Sequence, residues 1–138
     1  MNRNALALLF TIFFFAAFFP TASHAKTMEQ QFLMRYLNAK RAIAKCESAV
    51  CYQSAYGQYA TAAERRRLQG LSKEKLNAEF EFQKEVAVDD INDKGLHVAK
   101  LETTGNLRRL YLVSSSSGKK NILSEFEKEK DGWKLAHP

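Results

Sequence analysis

The chain has 138 residues and a formal net charge of +6, values that suit one small domain with a modest hydrophobic core. This charge permits weak attraction to anionic surfaces. It does not indicate a nucleic-acid-binding protein, because no aromatic platform is interleaved with the basic residues. We expect neither a nucleic-acid partner nor a cofactor.

The N-terminal segment is typical of a secretory signal peptide. One basic residue precedes the apolar run Ala5–Phe19, and small residues at Ser23 and Ala25 occupy the two positions that a signal peptidase reads. In a helix this run would span roughly 22 Å, which is too short for the ~30 Å hydrocarbon core of a membrane. We therefore predict a signal peptide over residues 1–25, export to the periplasm or the medium without a stable membrane anchor, and a single domain over residues 26–138.

An amphipathic helix is predicted directly after the cleavage site, over residues 27–45. Its apolar side chains recur at steps of four, four, three and four, which places them along one helical face. These positions are Met28, Phe32, Tyr36, Ala39 and Ile43. Arg35, Lys40 and Arg41 fall on the other face.

Two more helices are predicted before the sequence pattern changes. The second begins at the N-cap Ser48 and runs to about Gln69, with Gly70 in the left-handed conformation that ends many helices. Ser72 then caps a third helix. The sequence does not determine where this helix ends, because residues 85–91 fit a helix and an extended strand equally.

After the helices the hydrophobic period changes to two, which indicates β-strands. Candidate strands are residues 96–102, 107–113, 121–129 and 133–135, separated by turns at 104–106, 114–119 and 130–132. The Asp-Gly pair before Trp133 is a strong hairpin signal, and it puts Trp133 and Leu135 on the apolar face with Lys134 in solvent. The predicted fold is α+β, with three N-terminal helices packed on a curved antiparallel sheet of about three to five strands.

Two segments of the sequence resemble a known family. They are FEKEKDGWKL, residues 126–135, and INDKGLHVAKLE, residues 91–102. Both are similar to hairpin strands of small secreted bacterial proteins of unknown function in the nuclear transport factor two-like superfamily, the cystatin-like cone. The resemblance implies a concavity between sheet and helices that holds a small molecule or a partner. The strands counted here are fewer than a full cone usually has, so the expectation is a reduced cone.

Cys46 and Cys51 form a C-x4-C pair, and in an oxidising compartment an even number of cysteines favours a disulfide. In a continuous helix their Cα atoms would be roughly 8.5 Å apart, whereas a disulfide needs about 4.4–6.8 Å. The bond therefore predicts a helix break between them, consistent with Ser48 as a new N-cap. A redox-active pair lacks C-x-x-C spacing, and we expect no metal site, because only His97 and His137 follow the signal peptide.

Tyr52, Tyr56 and Tyr59 lie on one face of the predicted second helix. They are either core aromatics or hydroxyls that line a cavity, and they are the candidate ligand-binding residues. Superfamily enzymes resembling ketosteroid isomerase pair such a tyrosine with a carboxylate of raised pKa. An isomerase- or hydrolase-like enzyme using Tyr56 or Tyr59 is therefore the alternative function. The candidate carboxylates are Glu102 and three aspartates of a predicted solvated turn, Asp89, Asp90 and Asp93.

Arg65, Arg66 and Arg67 form a compact basic run near the end of the second helix, where cations suit the helix dipole. The run is either a solvated helix end or a docking patch for an acidic partner or anionic lipid. The sequence offers no credible catalytic set. The leading hypothesis is thus an exported, non-enzymatic module that binds a small apolar ligand or a protein partner, as a periplasmic inhibitor or immunity-type protein does. A homodimer is compatible with these features.

Overall fold

The structure, a computed structural model, describes residues 25–114 and 121–138. The predicted signal peptide up to position 24 and the polar break at 115–120 lie outside the described residues. In the described part, four helices precede four strands: α1 (Met28–Ala44), α2 (Ala49–Gly57), α3 (Ala62–Gln69), α4 (Lys73–Asn92), β1 (His97–Thr104), β2 (Leu107–Val113), β3 (Asn121–Glu129) and β4 (Gly132–Leu135). The strands form one antiparallel sheet in chain order. The predicted α+β fold is confirmed.

Helix α1 begins with a reciprocal pair of capping bonds. The Thr27 hydroxyl accepts a bond from the Gln30 N–H, and the Gln30 side chain accepts one from the Thr27 N–H. The predicted apolar face is buried at Phe32, Tyr36, Ala39 and Ile43, while Met28 is exposed. Lys40 differs from its predicted place on the solvated face, because it is only 2% exposed.

The helix predicted over Ser48–Gln69 is two helices, α2 and α3, so the predicted count of three helices is wrong. Between them the chain turns to meet β4. The Leu135 N–H donates to the Tyr59 carbonyl at 2.7 Å, and the Thr61 N–H donates to the Leu135 carbonyl at 2.9 Å. These tertiary bonds replace helical ones, and the Thr61 hydroxyl then caps α3 by accepting a bond from the Glu64 N–H.

Gly70 follows α3 with a φ of −86°, so the prediction of a left-handed terminator is wrong. A left-handed turn is unnecessary because α4 starts almost at once, with the Ser72 hydroxyl accepting a backbone N–H bond of 3.3 Å. Helix α4 continues through residues 85–91. This segment is helical because Ala87 and Asp90 are buried on the side of α4 that packs along α1.

The inner face of the sheet completes the core against the helices. Leu110 and Leu112 of β2, Phe126 of β3 and Leu135 of β4 are each at most 2% exposed. Strands β2 and β3 coincide with the predicted strands, and the bounds of β1 and β4 differ by one or two residues. The period-two pattern therefore located the sheet well.

Trp133 packs on the inner face of β4. Its ring centroid lies 5.3 Å from that of Phe32 in an edge-to-face arrangement, and the Arg108 guanidinium lies over the ring at 4.7 Å. Lys134 does not extend into solvent as expected, since its side chain is 16% exposed. Its ammonium pairs with the Asp131 carboxylate at 3.1 Å, which holds the hairpin turn closed.

Candidate functional site

A cleft of about 630 Å³ lies between α1, α4 and one end of the sheet. Apolar side chains form its walls: Phe82 and Val86 of α4, Ile122 of β3, and Pro138. Polar side chains from α1 and α4 form its floor. The cleft therefore combines apolar side chains with a larger set of polar ones, so it offers a ligand both apolar and hydrogen-bonding contacts.

Four side chains make up the floor, and helix geometry brings them together. Tyr36 and Lys40 are four residues apart on α1, and Gln83 and Asp90 are seven residues apart on α4. Both spacings place the two residues on one helical face. Because α1 and α4 pack along each other, the two pairs meet, and we call them the buried polar cluster.

Hydrogen bonds connect the members of the buried polar cluster. The Tyr36 hydroxyl donates to Asp90 Oδ2 at 2.5 Å, and the Lys40 ammonium donates to Gln83 Oε1 at 3.3 Å. Lys40 Nζ also lies 5.1 Å from the centroid of the Tyr36 ring. All four residues are at most 7% exposed.

Burial disfavours both charges in this cluster. Desolvation lowers the pKa of Lys40 to about 8, and the nearby Asp90 carboxylate opposes this change. Desolvation raises the pKa of Asp90, while the hydrogen bond from Tyr36 and the Lys40 charge oppose the rise. The pKa of Tyr36 is raised, first by burial and then by its bond to Asp90. In the cluster, Lys40 therefore loses its proton more readily, and Asp90 less readily, than the same groups do in water.

Asp89, Asn92 and Asp93, at the C-terminal end of α4, also line the cleft. The Asp93 carboxylate accepts bonds from the Gly95 N–H at 2.9 Å and from the Ser114 hydroxyl, so it ties the end of α4 to the end of β2. The expectation that Asp90 shares a solvated turn with its neighbours is wrong. Helix α4 extends past it and turns its side chain toward α1.

The three tyrosines proposed as ligand-binding residues lie elsewhere. Tyr52 and Tyr56 are fully buried and their rings stack at 5.7 Å, while Tyr59 is half-buried beyond the end of α2. None of them lines the cleft. The Tyr52 hydroxyl donates to Glu79 at 2.8 Å, whereas the Tyr56 hydroxyl has no partner among the described residues.

The three consecutive arginines have different surroundings. Arg65 donates to the Ala60 carbonyl at 2.8 Å, and Arg67 bridges the carboxylates of Glu64 and Glu79, each at 2.7 Å. The bond from Arg67 lowers the pKa of Glu79, so the carboxylate that Tyr52 contacts is a weaker proton acceptor than a free glutamate. Arg66 alone is exposed without a side-chain partner in residues 25–114 and 121–138. The proposed docking patch stays a prediction, and two of its three arginines already make contacts within the fold.

Cys46 and Cys51 form a disulfide with a Cα–Cα distance of 5.4 Å. Helix α1 ends at Ala44 and the Ser48 hydroxyl caps α2, so the predicted helix break and disulfide are confirmed. His97 is exposed and its ring contacts the Gly95 carbonyl at 2.8 Å. Within the described segments no three histidine, cysteine or carboxylate side chains are grouped as metal ligands.

No protein-family model, curated protein or solved structure matches the chain. The resemblance to the cystatin-like cone superfamily therefore stays a prediction. None of the helices in the described part of the chain is both long and apolar enough to cross a membrane.

Sequence reasoning included Asp90 only as a solvated carboxylate and missed the rest of the buried polar cluster. One signal was available for Lys40, because it lies four residues after Tyr36 and next to Ala39, on the edge of the predicted apolar face. No local pattern pairs it with α4. The contacts Lys40–Gln83 and Tyr36–Asp90 join residues 43 and 54 positions apart.

Proposed function

We propose that this protein is an exported, non-enzymatic binding module that holds a small, largely apolar molecule in the cleft. The apolar body of the molecule lies against Phe82, Val86 and Ile122, and its polar end reaches the buried polar cluster. One observation carries the proposal: four polar side chains, each at most 7% exposed, meet at the floor of a cleft of about 630 Å³ with apolar walls.

The size of the cleft and its apolar walls support this function. Small-molecule sites commonly have volumes of about 300–1,000 Å³ and combine apolar side chains with placed polar groups. The free-energy cost of burying the polar side chains at the floor also supports a binding function. Removing an ammonium and a carboxylate from water costs several kcal/mol per ion, and apolar residues of similar size would pack the core more cheaply.

An isomerase-like enzyme is the second candidate, because a buried carboxyl that contacts a tyrosine lies at this cleft. Asp90 rather than Asp89 or Asp93 would be the base, and Tyr36 rather than Tyr56 or Tyr59 would be its partner. A raised pKa brings such a base closer to the working pH, and the pKa of Asp90 is raised. The carboxylate already accepts the Tyr36 bond on Oδ2, which leaves only Oδ1 for a substrate.

Binding of a neutral apolar fluorophore, N-phenyl-1-naphthylamine, tests the proposed function. Val86→Trp fills the cleft from its apolar wall, and we expect it to weaken binding at least tenfold. Val50→Trp is the matched control, because Val50 is 72% exposed on α2 and does not line the cleft. Equal binding by the wild type and Val86→Trp, with both proteins folded by circular dichroism, would refute the proposal.

Asp90→Asn separates binding from catalysis. The asparagine can still accept the Tyr36 bond, so a binding module should keep its affinity for the fluorophore within about threefold. An isomerase-like enzyme would exchange a C–H proton beside a ligand carbonyl with D2O in the wild type and lose this exchange in Asp90→Asn. Export is tested by fractionation of the producing cell and by the mass of the chain, which should begin at Lys26.

A further inference from the structure

Lys40 is an unusual lysine in this protein. It is the one buried lysine among the described residues, and every other lysine there is exposed or half-buried. Its ammonium donates to the neutral Gln83 amide at 3.3 Å, and within residues 25–114 and 121–138 no carboxylate lies within 4.0 Å of it. A buried structural lysine is normally paired with a carboxylate. The burial of Lys40 is therefore compensated only in part, by the bond to Gln83 and by the more distant Asp90 carboxylate.

The position of Lys40 in the cleft places it next to a bound molecule. Lys40 lines the cleft together with Tyr36, Gln83 and Asp90, so a molecule held in the cleft would lie beside its side chain. The apolar side chains of Phe82, Val86 and Ile122 line the same cleft. Buried, unpaired lysines of this kind serve as amine nucleophiles toward carbonyl compounds.

We propose that the Lys40 amine forms an imine with an aldehyde or ketone group of the molecule held in the cleft. This inference rests on the proposed binding function and names the chemical class of the ligand. It also gives the buried polar cluster a role, because the carbonyl group is the polar end that enters the floor of the cleft.

The reaction consumes no further reagent. The Lys40 nitrogen attacks the carbonyl carbon and forms a carbinolamine, whose hydroxyl leaves as water while a carbon–nitrogen double bond forms. The hydroxyl must gain a proton to leave as water, and the nitrogen loses a proton as the imine forms, so the protons balance. Asp90 lies in the same cleft and its carboxyl has a raised pKa, so it can lend and recover that proton. The step releases one water and involves no change of oxidation state.

Burial favours the neutral, reactive form of the Lys40 amine, and the nearby Asp90 carboxylate only partly opposes this effect. With a pKa of about 8, roughly one lysine in ten is neutral at pH 7, compared with about one in 3,000 for an ordinary lysine. Asp90 and Tyr36 face the amine, and Asp89 and Asp93 also line the cleft. Among the described residues, Ser114 after the end of β2 and Ile122 of β3 line the cleft from the side of the sheet.

Reductive trapping with benzaldehyde and sodium cyanoborohydride at pH 7 tests the inference on the full chain. Peptide mapping by mass spectrometry should show Lys40 labelled at least ten times faster than the exposed Lys75. Lys40→Met should lose the fast label, and Lys75→Met should keep it. Labelling of Lys40 no faster than that of Lys75 would overturn the inference.

Two further measurements keep the test decisive. The rate of Lys40 labelling in the wild type needs no variant, and it should exceed the rate at Lys75 throughout the range from about pH 6 to pH 8; equal rates over this range would contradict the proposal. Benzyl alcohol has the same apolar ring without a carbonyl group. If it displaces the fluorophore while benzaldehyde is not trapped on Lys40, the imine is refuted and the binding function stands. If neither compound binds or reacts, the imine is refuted for this cleft.

Discussion

Replacement of Lys40 by methionine tests the electrostatics of the cleft through stability. Methionine keeps the length and the apolar stem of lysine but removes the buried ammonium. Burial lowers the pKa of Lys40 from 10.5 to about 8 in the folded protein. Between these two values the unfolded wild-type chain binds one proton more than the folded chain, so a rise in pH stabilises the wild-type fold.

The magnitude follows from the two pKa values. Below pH 8 the lysine is protonated in both states and contributes little dependence on pH. Above pH 8 the free energy of unfolding rises by about 1.4 kcal/mol per pH unit. From pH 7 to pH 9.5 the wild type should therefore gain about 2 kcal/mol that Lys40→Met cannot gain. The upper limit stays below pH 10, where tyrosines of the unfolded chain begin to titrate.

Urea unfolding at several pH values measures this effect. The informative quantity is the change with pH of the difference between wild type and variant, since the absolute stability of Lys40→Met also includes the lost bond to Gln83. Lys75→Met is the matched control, because Lys75 is exposed in the first turn of α4, and its difference from the wild type should not depend on pH. A constant difference for Lys40→Met over the same range would show that the ammonium is not desolvated and would refute the reasoning.

Two other substitutions test the core. Trp133→Ala should lower the free energy of unfolding by about 3 kcal/mol, because it removes the ring that packs on Phe32; Lys130→Ala in the same turn is the control, and equal effects of the two changes would contradict the packing. Tyr52→Phe should cost about 1–2 kcal/mol through the lost bond to Glu79, whereas Tyr56→Phe should be neutral or slightly stabilising, because that hydroxyl has no partner among the described residues. Urea unfolding measures both, and a larger cost for Tyr56→Phe would be inconsistent with the structure.

The sequence predicted a helix or strand well where its position depends on neighbouring residues in the chain. The Asp-Gly turn before Trp133 and the period-two strands located the hairpins, since turn chemistry and alternation act over a few residues. The break between α2 and α3 was missed, although Thr61 and Glu64 have the T-x-x-E spacing of a capping box. The stronger cause of that break is the pairing of Tyr59 and Thr61 with Leu135, which no window around the helix contains.

The candidate site residues also show the difference between local sequence signals and tertiary contacts. Sequence reasoning selected three tyrosines at helical spacing, and the structure places Tyr52 and Tyr56 in the core with the first bound to an ion-paired glutamate. It selected three adjacent arginines, and the structure uses two of them within the fold. A repeated residue type on one helical face does not tell whether that face meets another helix or a ligand, because the spacing is identical in both cases.

The sequence by itself therefore determined the α+β order of elements, the strand positions and the disulfide that closes the turn between α1 and α2. Periodicity, capping residues and cysteine spacing act over short stretches of chain and are visible there. Only the tertiary structure decided that Lys40 and Asp90 are buried together. Their surroundings depend on the packing of α1 along α4, which joins residues 43 and 54 positions apart, and burial is what changes the chemistry of both groups.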